Sequence, residues 1–230
     1  LRSLLKEARA VPGIQKIHVA SGIRMDLAAD EPEYVAELAA HHVGGHLKVA
    51  PEHVSASVLR LMKKPDSDSF ERFAERFEKA SQGAGLEQYL VPYFIASHPG
   101  SGLNEMIELA IYLKSNGYRP RQVQDFIPAP MDIATCMYHT GLDPETLEPV
   151  HSARTQNDRN LQRALLQYWK PENHALVKRA LEQAGRLDLI GEAPDCLIPS
   201  RPPRHTAAPG PGRKKPGGGY RGSARRRGRS

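Results

Sequence analysis

Short apolar runs alternate with longer segments whose apolar residues recur at helical spacing. This alternation constrains the fold more than any other feature of the chain. Residues 17–20 (Ile-His-Val-Ala) follow the turn Pro12-Gly13 and read as a first strand. Residues 30–43 read as a helix: Asp30 with Glu33 resembles a capping box, Tyr34, Val35, Leu38 and Ala39 form the apolar face, and Gly44-Gly45 ends it. Residues 46–50 form the next strand. Ser55 then caps a short helix whose inner face is Val58, Leu59 and Met62, and Pro65 breaks it. Asp68 with Glu71 repeats the capping-box pattern, and Phe70, Phe73, Ala74 and Phe77 follow at i, i+3, i+4 and i+7. Residues 89–96 form a third strand, apolar on both faces apart from Pro92, as suits a parallel sheet covered by helices. A helix over 103–115 packs through Leu103, Met106, Ile107 and Ala110, and residues 123–127 form a fourth strand. The order β-α-β-α-α-β-α-β has crossovers long enough for parallel pairing. The class is α/β, either a piece of a barrel or a doubly wound sheet.

Residues 156–185 differ. Leu161, Ala164, Leu165 and Tyr168 make one helix face, Pro171 interrupts, and Leu176, Val177, Ala180 and Leu181 make another. This predicts a helical hairpin outside the sheet. Charge then separates the tail from the body. The net charge of +6 from 32 basic and 26 acidic residues divides unevenly, because residues 201–230 hold ten basic residues and no acidic ones. Residues 1–200 therefore carry 22 basic against 26 acidic, a net of −4. That excludes a uniformly basic nucleic-acid-binding domain. With seven Gly and five Pro, residues 201–230 are expected to be disordered. They read either as a tether making nonspecific nucleic acid contacts through counterion release or as a solvated extension. Two cysteines, Cys136 and Cys196, make neither a disulfide framework nor a four-cysteine metal site. Cys136 sits in the apolar context Ala134-Thr-Cys-Met-Tyr138 and is expected to be a buried, inert thiol. No apolar run reaches the roughly 18 residues of a membrane span and no signal peptide is recognisable, so the expected location is cytoplasmic.

Ligands of parallel α/β folds bind at the carboxyl ends of the strands. Here those ends carry Ser21-Gly-Ile-Arg24-Met-Asp26, then Pro51-Glu52-His53, then Ser97-His98-Pro99-Gly100, then Pro128-Ala-Pro130 with Met131-Asp132. Arg24 offers a fork of donors to a carboxylate or phosphate, or a salt bridge to Asp26. Glu52 beside His53 offers an acid/base pair or acceptors for ligand hydroxyls or amines; alternatively it is a carboxylate at a helix N-terminus. His98 with Gly100 either brings backbone close to a ligand or reverses the chain. The other histidines include His41, His42, His46 and His139, but no H-x-H or H-E-x-x-H spacing occurs.

These segments together resemble a known family. Ser21-Gly-Ile-Arg-Met-Asp-Leu27, His41-His42, Leu47-Lys-Val-Ala-Pro-Glu-His53, Met62-Lys-Lys-Pro65, residues 89–100, residues 123–130 and Ala134-Thr-Cys-Met-Tyr138 are similar in content and order to the YgiQ family of radical S-adenosylmethionine (SAM) proteins. The resemblance covers about residues 1–170. It implies the C-terminal part of a radical SAM (β/α)6 partial barrel over 1–140, a helical C-terminal region over 141–200, and the basic tail over 201–230. It also implies a [4Fe–4S] cluster and SAM as cofactors, and an electron donor such as flavodoxin or ferredoxin. The superfamily's C-x3-C-x2-C cluster motif is absent, so this chain is expected to supply no metal ligand. Together with a sequence that begins at Leu1, the absence suggests the C-terminal portion of a longer enzyme, inactive alone, with the cluster cysteines upstream. By position, Ser21, Arg24, Glu52, His53, His98 and Gly100 are the residues implied to face SAM or the unknown substrate. Two other readings remain at this point: a metal-dependent hydrolase on a barrel scaffold, and a nucleic-acid-binding protein acting through its tail.

Overall fold

Three strands pair in chain order into a parallel sheet: β1 (His46–Glu52), β2 (Tyr89–Ala96) and β3 (Gln124–Asp125). The computed structural model describes residues 1–202, apart from 26, 27 and 29. The register runs from His46 opposite Tyr89 to Val49 opposite Pro92, then shifts so that Glu52 lies opposite Phe94. Ile95 and Ala96 pair with Gln124 and Asp125. Parallel neighbours need long crossovers. Helices α3 (Ala56–Leu61) and α4 (Asp68–Gly83) fill the first, and α5 (Leu103–Ser115) fills the second. Around these stand α1 (Arg2–Ala10) and α2 (Pro32–His41) before the sheet, then α6 (Ile133–Thr140), α7 (Gln156–Leu166) and α8 (His174–Gln183) after it. The mixed α/β class and the helical hairpin agree with the sequence reading, and the bounds of β2 and α5 are those expected. Helices α1 and α6 were not anticipated.

The strand expected over 17–20 does not form. The Val19 N–H donates to the His42 carbonyl (2.9 Å), and His42 Nδ1 binds the Ile17 carbonyl (2.9 Å). The end of α2 thus takes the backbone groups that a neighbouring strand would need. Contact with the sheet comes later, as a single parallel bridge between Ile23 and Val49. The expected fourth strand shortens to two residues. Phe126 still donates to Ala96 O (2.8 Å), but Pro128 and Pro130 then remove donors from the ladder. The expected side-chain caps also differ. The residue capping the start of α2 is Glu31, followed by Pro32 in the first turn, and that capping α4 is Ser67; neither makes a side-chain cap bond. Ser55 precedes α3, but its hydroxyl meets Ser57 Oγ (3.2 Å) instead.

The core has two main parts. Leu38, Val49, Phe73 and Phe77 pack between α2, β1 and α4. Phe73 and Phe77 stack at 6.2 Å between ring centres, and burying each contributes about 2–3 kcal/mol. Phe94, Ala96, Ile107 and Leu113 pack with Leu161, Leu165, Val177 and Leu181, so α7 and α8 share one apolar core with β2 and α5. Strand β1 alternates buried and exposed residues along most of its length, with Leu47 and Val49 inward and His46 and Lys48 outward. Helices therefore cover one face of the sheet rather than both among the described residues. Cys136 corrects a further expectation: it lies on the exposed side of α6, whose inner face is Ala134 and Met137. Cys196 is the buried thiol.

Candidate functional site

The ends of β1 and β2 both leave the sheet through left-handed backbone at a non-glycine residue. Glu52 has φ 65° and Ser97 has φ 64°. Such residues cost about 1–2 kcal/mol each and persist only where the surroundings fix them, often at functional sites. Glu52 sits beside the register shift in β1 and is partly buried. Its Oε1 pairs with Lys64 Nζ at 2.9 Å, and the same ammonium donates to Ala50 O at 2.7 Å. Lys64 is thus a clamp on the end of β1. Its run Met62-Lys-Lys-Pro65 is conspicuous in the sequence, but nothing local assigns it a role.

His53 and His98 are both buried and have fixed tautomers. His53 Nδ1 accepts the Ser55 N–H at 3.0 Å, which leaves the proton of the neutral ring on Nε2, 3.4 Å from Ser101 Oγ. Burial lowers its pKa to about 3, with the nearby His98 adding to the effect. His98 Nδ1 donates to Pro99 O at 2.7 Å, and its ring meets Phe126 edge-on at 5.4 Å. Burial lowers its pKa as well, against the opposing pull of the Pro99 carbonyl and of Glu52 and Asp132. Both imidazoles are therefore neutral near pH 7, and neither is poised as a general acid–base group at that pH.

The six residues singled out in the sequence gather at the strand ends but do not line one cavity. Ser21 and Glu52 line an open cleft of about 350 Å³ together with Lys48, Tyr93 and Gln124. Lys48 Nζ lies 5.9 Å from the Tyr93 ring centre. Arg24 and His53 border a tighter pocket that also takes in Lys64 and Asp66. Arg24 further borders an apolar cleft with Leu5, Ile23 and Tyr34. Its suggested partner Asp26 lies outside the described residues. Gly100 turns away from the Glu52 cleft, towards Leu61, Glu105 and His151. It has φ 88°, and a Cβ there would collide with the Leu61 side chain. Its role in the structure is the chain reversal, sealed by its N–H to His151 O at 2.7 Å.

Other rim residues take roles that the sequence did not assign. Ser97 is buried, and its hydroxyl has no hydrogen-bond partner. Gln162, on α7, binds Ser97 and Ser101 from behind. Asp132 caps α6 by accepting the Ala134 N–H at 3.0 Å, and Thr135 closes the preceding loop on Ala129 N and O (2.8 and 2.7 Å). Among the described residues no three His, Cys, Asp or Glu side chains converge so as to hold a metal ion. None of the described helices is long and apolar enough to cross a membrane.

Comparison with known proteins places this arrangement in a family. A domain of unknown function, DUF3362, matches residues 121–230. A UPF0313 protein of Methanosarcina mazei is 46% identical over 198 residues, covering 86% of this chain and 32% of its own length. A UPF0313 protein of Chromobacterium violaceum is 47% identical over 213 residues, covering 90% of this chain and 28% of its own. One from Pseudomonas aeruginosa is 48% identical over 208 residues, covering 88% and 28%. The chain thus spans about a third or less of the length of these relatives. With this identity over most of its length, and with the motif order described above, the chain belongs to the UPF0313 family, which is the YgiQ family.

Proposed function

We propose that the chain forms part of a radical SAM enzyme and that the ends of β1 and β2 face bound SAM. The observation that carries this reading is the cleft lined by Ser21, Lys48, Glu52, Tyr93 and Gln124. Its volume of about 350 Å³ lies within the usual range for small-molecule sites. The donor set suits a zwitterionic amino acid joined to a nucleoside. The Glu52 carboxylate accepts from an amine or ribose hydroxyls, Lys48 and Ser21 donate to a carboxylate, Gln124 does either, and Tyr93 offers a flat face to a base. The neutral His53 and His98 also suit a cationic sulfonium ligand, because neither adds a repelling charge. When bound together with a reduced [4Fe–4S] cluster, SAM supplies one-electron hydrogen-abstraction chemistry, which is the cofactors' own.

The described residues fit SAM but not the cluster, since they offer no converging set of metal ligands. In this proposal the cluster is held by a part of the protein other than this chain, and no step is derived through it. The contribution of these residues is binding and orientation. Lys64 holds Glu52 at the cleft, and the left-handed turn at Ser97 aims the chain after β2.

The test uses the protein as expressed from its natural reading frame. Removing one charged contact typically weakens binding by about 1.5–3 kcal/mol, so Glu52→Gln and Lys48→Ala are each expected to reduce SAM affinity at least about tenfold in calorimetry. Unchanged affinity in both variants would overturn the assignment. Iron and acid-labile sulfide are expected in the purified protein; zinc or manganese in their place would refute the class.

A further inference from the structure

The turn after β2 is held from outside by one side chain. Gln162 lies in the second turn of α7 and is 1% exposed. Its Oε1 accepts the Ser97 N–H at 2.8 Å, and its Nε2 donates to the Ser101 carbonyl at 2.7 Å. These two bonds bracket the segment from Ser97 to Ser101, which contains His98 and Gly100. The bracket reaches further: Ser101 Oγ is 3.4 Å from His53 Nε2, so the same amide is linked to the residue following β1. Ser97 is one of the left-handed residues of the rim, a conformation that the surroundings must impose. A primary amide of this length presents an acceptor and a donor in one plane. Glutamate lacks the donor, methionine lacks both, and asparagine is one methylene short.

We propose that Gln162 is a positioning residue, which sets the Ser97–Ser101 backbone and through Ser101 the His53 ring, so that the helical pair α7–α8 governs ligand binding at the strand ends. This gives a role to part of the region matched only as a domain of unknown function, in which Gln162 lies. The packing makes such control mechanical. Leu161 and Leu165 of α7 are buried in the same core as Phe94 and Ala96 of β2, so α7 cannot shift without moving the strand that carries the turn.

The ligand-binding part of the proposal rests on the SAM reading above, and the test separates the two. Gln162→Met and Gln162→Glu are compared with Phe77→Ala, which opens a cavity in the other core, between α2, β1 and α4, without touching α7 or the turn, in the protein from its natural reading frame. SAM affinity is measured by calorimetry, the His53 ring by nitrogen NMR across pH, and stability by thermal melting. Releasing the Ser97–Ser101 segment in Gln162→Met is expected to weaken SAM binding about tenfold, because the freed turn must be reordered when ligand binds. It is also expected to move the His53 protonation midpoint measurably from its low native value, because the ring's Ser101 partner and its burial both change. Gln162→Glu keeps the Ser97 bond and is expected to lose less affinity. Phe77→Ala is expected to melt at least as early as Gln162→Met, yet to keep its SAM affinity and its His53 midpoint. Affinity losses that simply track melting temperature across the three variants would overturn the proposal, as would a His53 midpoint unmoved in Gln162→Met. Should Gln162→Met fail to fold, Gln162→Glu carries the same comparison. If the unmodified protein binds no SAM, the SAM reading fails by itself, and the His53 midpoint still decides the role of Gln162.

Discussion

Replacing Ser97 by glycine should stabilise the protein, although the position is fully buried. Two features of Ser97 work against the folded state. Its φ of 64° places an L side chain in the left-handed region, at about 1–2 kcal/mol, which glycine does not incur. Its hydroxyl is buried with no partner, and leaving such a group unsatisfied costs about 1–3 kcal/mol. Two effects oppose the gain. Glycine adds about 0.4–1 kcal/mol of conformational entropy to the unfolded chain, and deleting a small side chain from a packed site loses about another 1 kcal/mol. The balance favours Ser97→Gly by about 1–2 kcal/mol, which for a folded region of this size is a rise in melting temperature of roughly 2–8 °C. Urea denaturation is the better assay, because an unchanged slope with a higher midpoint isolates stability from changes in compactness. A lower midpoint would refute the reasoning: it would mean that the hydroxyl makes a bond in solution, or that the left-handed backbone is less strained than its φ implies. If the strain serves the rim, the same substitution should weaken ligand binding while it stabilises the fold.

Acid should destabilise the folded state earlier than its carboxylates require. His53 is held at about 3 and His98 is also lowered, whereas unfolded imidazoles titrate near 6.5. Between about pH 6.5 and 3 the unfolded chain binds protons that folded His53 refuses, so stability falls with falling pH, by up to about 1.4 kcal/mol per unit for this one group. Urea midpoints measured from pH 8 to 4.5 should therefore drop through that window and flatten in His53→Gln; a flat profile in the unmodified protein would contradict the buried, neutral assignment. The two thiols should also separate cleanly. A thiol reagent should label Cys136 in the native protein and Cys196 only after denaturation, and native labelling of both would show that the segment around Cys196 opens.

What was legible in the sequence follows from the range of the interactions that decide it. Helix α4 could be read because Phe70, Phe73 and Phe77 are spaced by the helix itself, and β2 because a continuous apolar run of eight residues has few other stable outcomes. Residues 17–20 misled for the opposite reason. Ile17 and Val19 alternate as a strand would, but His42, about 25 residues away, claims their backbone groups with its side-chain and main-chain atoms. The strand ends were located from sequence because polar, Gly- and Pro-containing turns mark them, and Glu52 and His53 stand at one of them. The rest of the rim depends on partners distant in the chain. Lys64 reaches back 12 residues to Glu52, and Gln162 reaches back 65 to Ser97. No periodicity reports such pairings, since each is a single side chain whose value exists only once the sheet and α7 have packed. The same dependence bears on how the region should be divided. A boundary drawn at residue 140 separates motifs that differ in composition, yet Phe94 and Ala96 share their core with Leu161 and Leu165, and the Ser97 turn takes two of its hydrogen bonds from α7. Chemistry that depends on the end of β2 therefore depends on α7, whichever unit the helix is assigned to.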